Sequence, residues 1–246
     1  MNVIRLAFGT PTARGGAVHE RLQDQAMRIV DAVVRSQLVA SQRTTDKYTI
    51  GQLPAFAFVG RVAEVQQPYV HLGQTQMLWQ AAHARDQEGR AGIDWLLMCD
   101  SDNWTLNGGG VLEMIASGRG MAAAVIGAPV LGRHGAYNVI ADAPDGTPFV
   151  LRRAESHGKI TPVRRIGSAF MAVSLHWLRD HWPWTPEDPW FQPRWKAGSG
   201  GFPELESHDF QFCDGVRSRG GLILCDWRLE PRHDGITYPE GTEGVG

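Results

Sequence analysis

Short apolar runs alternate with segments of helical periodicity along the first hundred residues. Residues 3–8 and 55–60 have the length and composition of strands, and 18–39 places apolar residues at helical spacing. A second helix is predicted over 74–86. The next strand, 95–99, is continuously apolar and is therefore expected to be buried on both faces. This order predicts an α/β protein with a mainly parallel sheet and helices on its faces.

The second half of the chain is less regular. The pattern predicts helices over 108–118, 175–182 and 207–219, and strands over 121–130, 166–174 and 221–227. The polar, turn-rich stretch 132–165 is expected to form a hairpin or an irregular excursion. Residues 183–204 are rich in Pro, Gly and Trp, which predicts a long irregular loop. Its aromatic residues suggest a lid or an acceptor-facing surface: Trp184, Trp190, Phe191 and Trp195.

Composition narrows the class of protein. With 246 residues, 43% of them hydrophobic and 20% charged, the chain fits a globular protein of one domain, residues 1–246. A net charge of −2 argues against coating nucleic acid by bulk electrostatics. The three cysteines lie in apolar stretches, which favours reduced core residues. With no apparent signal peptide or membrane span, we expect a soluble cytoplasmic protein without integral membrane contact.

Two carboxylates follow the strand predicted at 95–99. Residues two apart in an extended chain point to the same side, so Asp100 and Asp102 converge at the carboxyl end of that strand. Ligands bind at such ends in α/β sheets, and a divalent cation would relieve the repulsion between the two anions. The alternative is an exposed turn or a helix cap with solvated carboxylates. The buried strand before them favours the metal site.

The order of these features resembles a family. An early βα unit, a strand ending in DSD, the segment GSAFMAVS and the late stretch 207–235 are together similar to GT-A-type glycosyltransferases, close to the family-2-like enzymes of bacteria and phages. The late signature appears here as Asp209, Phe212, Cys213, Gly220, His233 and Gly235. The resemblance extends from about residue 3 to 235, and it implies a GT-A (Rossmann-like) mixed sheet, mainly parallel and flanked by helices on both faces.

The resemblance also implies a donor site. Asp102, His233 and Asp100 would hold Mn²⁺ or Mg²⁺ against the diphosphate of a nucleotide sugar, with a UDP-sugar favoured. Carboxylates suit either ion, and an added imidazole shifts the preference towards Mn²⁺. Read without the family, His233 would be a surface histidine in a polar tail. The residues expected to contact the donor are Thr10, Pro11, Thr12, Asp100, Ser101, Gly167 and Ser168.

Asp209 is the candidate general base, because an acceptor hydroxyl must lose its proton as it attacks the sugar. The alternative is that Asp209 only caps the helix beginning near Ser207. The family usually has Glu before this Asp, whereas this chain has His208, so the acceptor class stays open. Adjacent arginines at 164 and 165 could meet phosphate or form a solvated strand edge.

The sequence thus predicts a metal-dependent glycosyltransferase (hexosyltransferase type), with a nucleotide-sugar half over 1–130 and an acceptor half over 131–246. A nucleotidyltransferase would normally show a Gly-rich, basic loop after the first strand, of which GTPTARGG is a faint version. A nucleotide-sugar-binding module without turnover is the third possibility. The acceptor class stays open: a saccharide, a lipid-linked sugar, a protein hydroxyl or, more boldly, a hydroxylated base in phage DNA are all compatible with the sequence.

Overall fold

Twenty helices and strands lie in the residues that the computed structural model describes, which are 3–9, 25–35, 56–61, 70–100, 103–105, 107–132, 135–156, 158–197 and 203–233. The strands are β1 Ile4–Gly9, β2 Phe56–Arg61, β3 Trp95–Cys99, β4 Asn103–Trp104, β5 Val125–Gly127, β6 Val139–Asp142, β7 Pro148–Val150, β8 Ile160–Pro162, β9 Arg165–Ile166, β10 Phe170–Ser174, β11 Arg194–Ala197, β12 Pro203–Glu206, β13 Ile223–Asp226 and β14 Arg232–His233. The helices are α1 over 25–35, α2 Val70–His83, α3 Gly108–Gly120, α4 Arg153–Ser156, α5 Leu175–His181 and α6 His208–Ser218.

A seven-stranded sheet in the order β2-β1-β3-β10-β5-β13-β8 forms the centre of the protein. β1 is parallel to β2 and β3, and β13 is parallel to β5. β10 is antiparallel to both of its neighbours, β3 and β5, and β8 is antiparallel to β13. Five strands therefore run in one direction and two in the other. The predicted α/β class is confirmed, and the sheet is mixed, with three parallel and three antiparallel strand pairs.

Alternate residues of β3 belong to two separate hydrophobic clusters. Leu96 and Met98 pack in a cluster with apolar residues of α2, α5 and α6. Trp95, Leu97 and Cys99 belong to a second cluster, to which α1 and α3 contribute. Successive side chains of a strand point to opposite faces of a sheet. Because all five residues of β3 are buried, both faces of the strand are covered by apolar residues.

Ordered strands lie in the two segments with the densest turn signals. For 132–165 the predicted hairpin is confirmed by the antiparallel pair of β6 and β7, whereas 183–204 was predicted to be an irregular loop. Within 132–165, β6 pairs with β7 and β9 to form a three-stranded sheet, and β8 joins the edge of the main sheet. Within 183–204, β11 pairs with β12 as an antiparallel hairpin. Turn-forming residues are dense in both segments, and they hid strands that are only two to four residues long.

The strand predicted at 121–130 is much shorter in the structure. α3 continues to Gly120, and the backbone then turns through Ala122, whose φ is +53°. β5 begins only at Val125 and ends at Gly127. The turn shortens the strand because an αL residue cannot continue either a helix or an extended strand.

Among the described helices, none combines the length and the apolar character that a membrane span requires.

Two glycines of α3 provide a test of the packing between this helix and the sheet. A Cβ added at Gly118 would lie 2.7 Å from Cγ2 of the fully buried Ile126, whereas one at Gly120 would meet nothing within 4 Å. We therefore expect Gly118→Ala to lower the free energy of unfolding by about 1–3 kcal/mol, because the branched Ile126 side chain cannot move aside. Gly120→Ala is the matched control and should leave stability unchanged or raise it by up to about 1 kcal/mol. Urea unfolding measures both, and equal effects would contradict this packing.

Candidate functional site

Asp100 lies where β3 leaves the sheet. Its backbone N–H donates to Ala169 O at 3.0 Å, just before β10 begins, and its carbonyl accepts from Asn103 N at 3.0 Å. The chain thus turns immediately after Asp100, whose side chain is half-buried. This is the predicted position at the carboxyl end of a buried strand. Ser101 and Asp102 lie outside the described residues.

His233 lies on a strand that pairs beside this turn. β14 pairs with β4 in antiparallel register, so His233 lies opposite Asn103 and Arg232 lies opposite Trp104. Asn103 is three residues beyond Asp100 and adjacent to Asp102 in the chain. A segment 130 residues away in sequence is therefore held by backbone pairing beside the DSD motif. The side chain of His233 is half-buried.

Gly167 and Ser168 precede β10 at the same edge of the sheet. A Cβ at Gly167 would lie 2.2 Å from Nδ2 of Asn138, so the missing side chain makes room for this asparagine. Ser168 is almost fully buried, and its Oγ accepts a hydrogen bond from Nε2 of Gln74 at 2.8 Å. Its backbone N–H donates to Oδ2 of Asp209 at 3.2 Å.

Asp209 is the second residue of α6 and not its cap, a position that Ser207 occupies. Its Oδ2 accepts from the Ser168 amide, and its Oδ1 accepts from the Ser207 hydroxyl. A carboxylate in the first turn of a helix is also stabilised by the helix dipole. Two donors thus hold the half-buried Asp209 carboxylate in one orientation beside the start of β10.

Two rings lie close to His208, the residue before Asp209. The ring centroid of His208 lies 5.8 Å from that of His71 and 6.1 Å from that of Phe191. Burial lowers the pKa of His208 and the neighbouring His71 lowers it further, whereas Asp209 acts in the opposite direction. Burial also lowers the pKa of His71. The site therefore has a neutral, aromatic wall beside Asp209 at neutral pH.

The arginines 164 and 165 are engaged in ion pairs with carboxylates of the protein. Arg165 contacts both Asp214 and Glu206, and Arg164 lies 2.9 Å from Asp142. Hydrogen bonding to Asp214 raises the pKa of Arg165. These contacts satisfy the two guanidinium groups without phosphate.

Sequence reasoning missed Gln74 and His71, both on α2. Gln74 is completely buried, and its Oε1 has no hydrogen-bond partner among the residues that the structure describes. The helical period carried a signal, because Gln74 lies three and four residues before Met77 and Leu78 on the buried side of α2. A polar residue at such a position is a candidate for a structural or functional role.

The residues predicted to bind metal are only partly described. Asp100 and His233 come from two segments that the β4–β14 pairing holds together, and a carboxylate with an imidazole suits Mn²⁺ among divalent ions. Across the described ranges, no group of three or more His, Cys, Asp or Glu side chains is placed to bind a metal. Asp102 is not within those ranges, and neither are Thr10, Pro11 and Thr12.

Comparisons with known proteins give only distant neighbours. No protein-family model and no curated protein matches the chain. A197 from STIV is similar in structure, with a TM-score of 0.46 and 11% identity, over 90% of this chain and 81% of that chain. The 4-diphosphocytidyl-2C-methyl-D-erythritolsynthase from Anaerococcus prevotii DSM 20548 has a TM-score of 0.41 and 12% identity, over 96% and 90% of the two chains. Similarity this distant carries no evidence about function.

The buried imidazole of His208 should make stability depend on pH. Its pKa in the folded protein lies below the ordinary value of 6.5, so the unfolded chain takes up the proton more readily. Stability is therefore lost as the pH falls through the ordinary histidine range. We expect the free energy of unfolding to fall between about pH 7.5 and about pH 5.5, and His208→Gln to lose less of it than the wild type.

Urea unfolding at the two pH values measures this difference. His83→Gln, at an exposed histidine on α2, is the control and should follow the wild type. If His208→Gln and the wild type lose the same free energy on acidification, the imidazole of His208 is not held neutral by burial.

Proposed function

We propose that the protein is a metal-dependent glycosyltransferase with a GT-A-type fold, which transfers a sugar from a nucleotide-diphosphate sugar to a hydroxyl acceptor. The observation that carries the proposal is the convergence of four separate segments at one edge of the sheet. Asp100 is bound to Ala169, Ser168 to Asp209, and the strand of His233 to that of Asn103. Backbone hydrogen bonds, a contact of the Asp209 carboxylate and strand pairing thus link the segments that the family resemblance selects.

The two hydrophobic clusters also support the proposed fold. One contains residues of α2, α5 and α6, and the other contains residues of α1 and α3. Because β3 contributes alternate residues to the two clusters, the sheet would carry helices on both faces, as in the GT-A arrangement.

In this proposal the donor binds at the DSD turn. Asp100, Asp102 and His233 would hold a divalent ion, Mn²⁺ or Mg²⁺, and the chemistry it would supply is stabilisation of the negative charge that develops on the diphosphate leaving group. A UDP-sugar is the favoured donor, on the resemblance alone. The half-buried position of Asp100 and His233 limits competition from water for their polar atoms.

Asp209 acts on the acceptor. As the acceptor oxygen forms its bond to the anomeric carbon, the bond from that carbon to the diphosphate oxygen breaks, and the hydroxyl proton passes to the Asp209 carboxylate. The Ser168 amide and the Ser207 hydroxyl orient this carboxylate.

Thermal unfolding with nucleotides and metals tests the donor site without knowledge of the acceptor. The panel is UDP, GDP, CDP and TDP, their sugars and the nucleoside triphosphates, each with Mn²⁺, Mg²⁺ or EDTA. We expect a nucleoside diphosphate to raise the midpoint only when a divalent ion is present, because ligands that bind the native state stabilise it by mass action. Asp102→Ala should abolish the shift.

Asp145→Ala is the matched control, since Asp145 lies exposed in the turn between β6 and β7. It should keep the full shift. No shift with any diphosphate would contradict the proposal, and a shift with triphosphates alone would favour a nucleotidyltransferase.

The role of Asp209 is tested by Asp209→Asn, which keeps the size of the side chain and removes the base. We expect normal stabilisation by the donor and a loss of about 10²–10⁴-fold in the release of nucleoside diphosphate from the nucleotide sugar. The measurement is release in the presence of Mn²⁺, with water as the acceptor. Asp180→Asn, an exposed change on α5, should retain the wild-type rate.

If Asp209→Asn keeps the wild-type rate, Asp209 is not the base. If the wild type binds nucleotide but never turns over a sugar donor, the chain is a binding module.

A further inference from the structure

The hairpin of β11 and β12 has two chemically different faces. Directly opposed residues of an antiparallel pair lie on the same face, and successive pairs alternate between the faces. The pairs on one face join charged residues, Arg194 with Glu206 and Lys196 with Glu204. The residues on the other face are all apolar: Trp195, Ala197, Pro203 and Leu205.

The charged face is attached to the body of the protein through Glu206, at the end of β12. Glu206 accepts a hydrogen bond from Gln211 of α6 and lies 3.0 Å from Nη1 of Arg165. Trp195 and Leu205, on the opposite face, are 71% and 56% exposed. A ribbon packed on a protein usually turns its apolar face inward, and here the order is reversed. Exposed apolar patches of this kind mark binding surfaces.

The reversed hairpin is directly continuous with the proposed acceptor side of the site. β12 ends at Glu206, and the chain passes through Ser207 into α6 and Asp209. Leu205 is four residues from Asp209, so the backbone between them spans at most about 14 Å. This separation corresponds to a few sugar rings of an extended chain.

The size and charge of the hairpin's apolar face indicate which kind of ligand could bind it. Four side chains offer far less than the roughly 800 Å² per partner of a stable interface between two proteins. The two cations of the hairpin are balanced by two glutamates, and Lys196 Nζ lies 4.0 Å from Glu204, so the ribbon carries no net charge to attract an anionic lipid surface. An uncharged ligand with a flat apolar face fits both limits.

We propose that the apolar face of Trp195 and Leu205 is a binding surface for a neutral saccharide chain, whose hydroxyl end reaches Asp209 as the acceptor. The exposed indole packs against the C–H face of a pyranose, and Leu205 extends the apolar surface beside it. This inference deepens the proposed glycosyltransferase function and rests on it for the acceptor role, whereas saccharide binding itself does not depend on turnover.

Titration with neutral hexasaccharides tests the surface. The probes are maltohexaose, cellohexaose and chitohexaose, followed by calorimetry with the full chain. We expect at least one of them to bind, Trp195→Ala to weaken that binding by about tenfold or more, and Trp195→Phe to restore part of it, because the stacking needs an aromatic face. Trp79→Ala is the matched control, since Trp79 is an exposed tryptophan that belongs to α2 and stacks on His83.

Additional measurements distinguish a failure of the saccharide surface from a failure of the proposed glycosyltransferase function. The Mn²⁺-dependent shift by nucleoside diphosphate should be the same in Trp195→Ala and the wild type. If that shift occurs and no hexasaccharide binds, or if Trp195→Ala binds as well as the wild type, the saccharide surface is refuted while the donor site stands. If a hexasaccharide binds through Trp195 but no nucleotide does, the surface stands and the transferase fails.

The same variants also test whether the apolar face binds a lipid surface or a second copy of the chain instead. Flotation with phosphatidylcholine vesicles, with and without phosphatidylglycerol, tests a lipid surface, and sedimentation equilibrium tests a second copy of the chain. Vesicle binding or self-association that is lost in Trp195→Ala and kept in Trp79→Ala would overturn the saccharide inference.

Discussion

The rest of the structure depends on the complete burial of β3. This strand pairs with β1 on one side and β10 on the other, and its side chains alternate between two hydrophobic clusters. A strand in this position cannot accommodate a charged group along its length, because an unpaired buried charge costs several kcal/mol. Polar chemistry is therefore confined to the point where the strand leaves the sheet, and the chain places Asp100 there.

Backbone hydrogen bonds then bring distant segments to that point. Asp100 is held by Ala169, and Asn103 is held by pairing with His233. These contacts are made by the backbone and not by the side chains that would carry out chemistry. Substitution of those side chains should therefore leave the backbone arrangement of the site in place. The Ser168 amide is the exception, because it binds the Asp209 carboxylate directly and links β10 to α6.

The proposed acceptor side is built differently from the donor side. The described part of the proposed donor side is joined to the main sheet by backbone hydrogen bonds, whereas all but one of the described residues in the hairpin of β11 and β12 are exposed. Its attachment through Glu206 to Arg165 and Gln211 leaves the apolar face outward. A donor site at the sheet edge beside an exposed ribbon would suit an enzyme that binds one small ligand and one extended ligand along its surface.

Periodicity predicted much of the fold correctly. The five residues of β3 were identified at their observed bounds, and α6 and β13 lie within the predicted ranges. The antiparallel direction of β10 could not be predicted, because buried parallel and antiparallel strands have the same apolar pattern. The hairpin in 183–204 was missed, since Trp, Gly and Pro in short strands resemble loop composition.

By itself, the sequence determined the α/β class and the position of Asp100 at a strand end, because burial of apolar runs is a local property of the chain. Tertiary structure decided which polar residues meet. The opposition of His233 to Asn103, the contact of Asp209 with Ser168 and the burial of Gln74 all join segments far apart in the chain. Those contacts depend on strand order and helix packing, and no local pattern of residues encodes them.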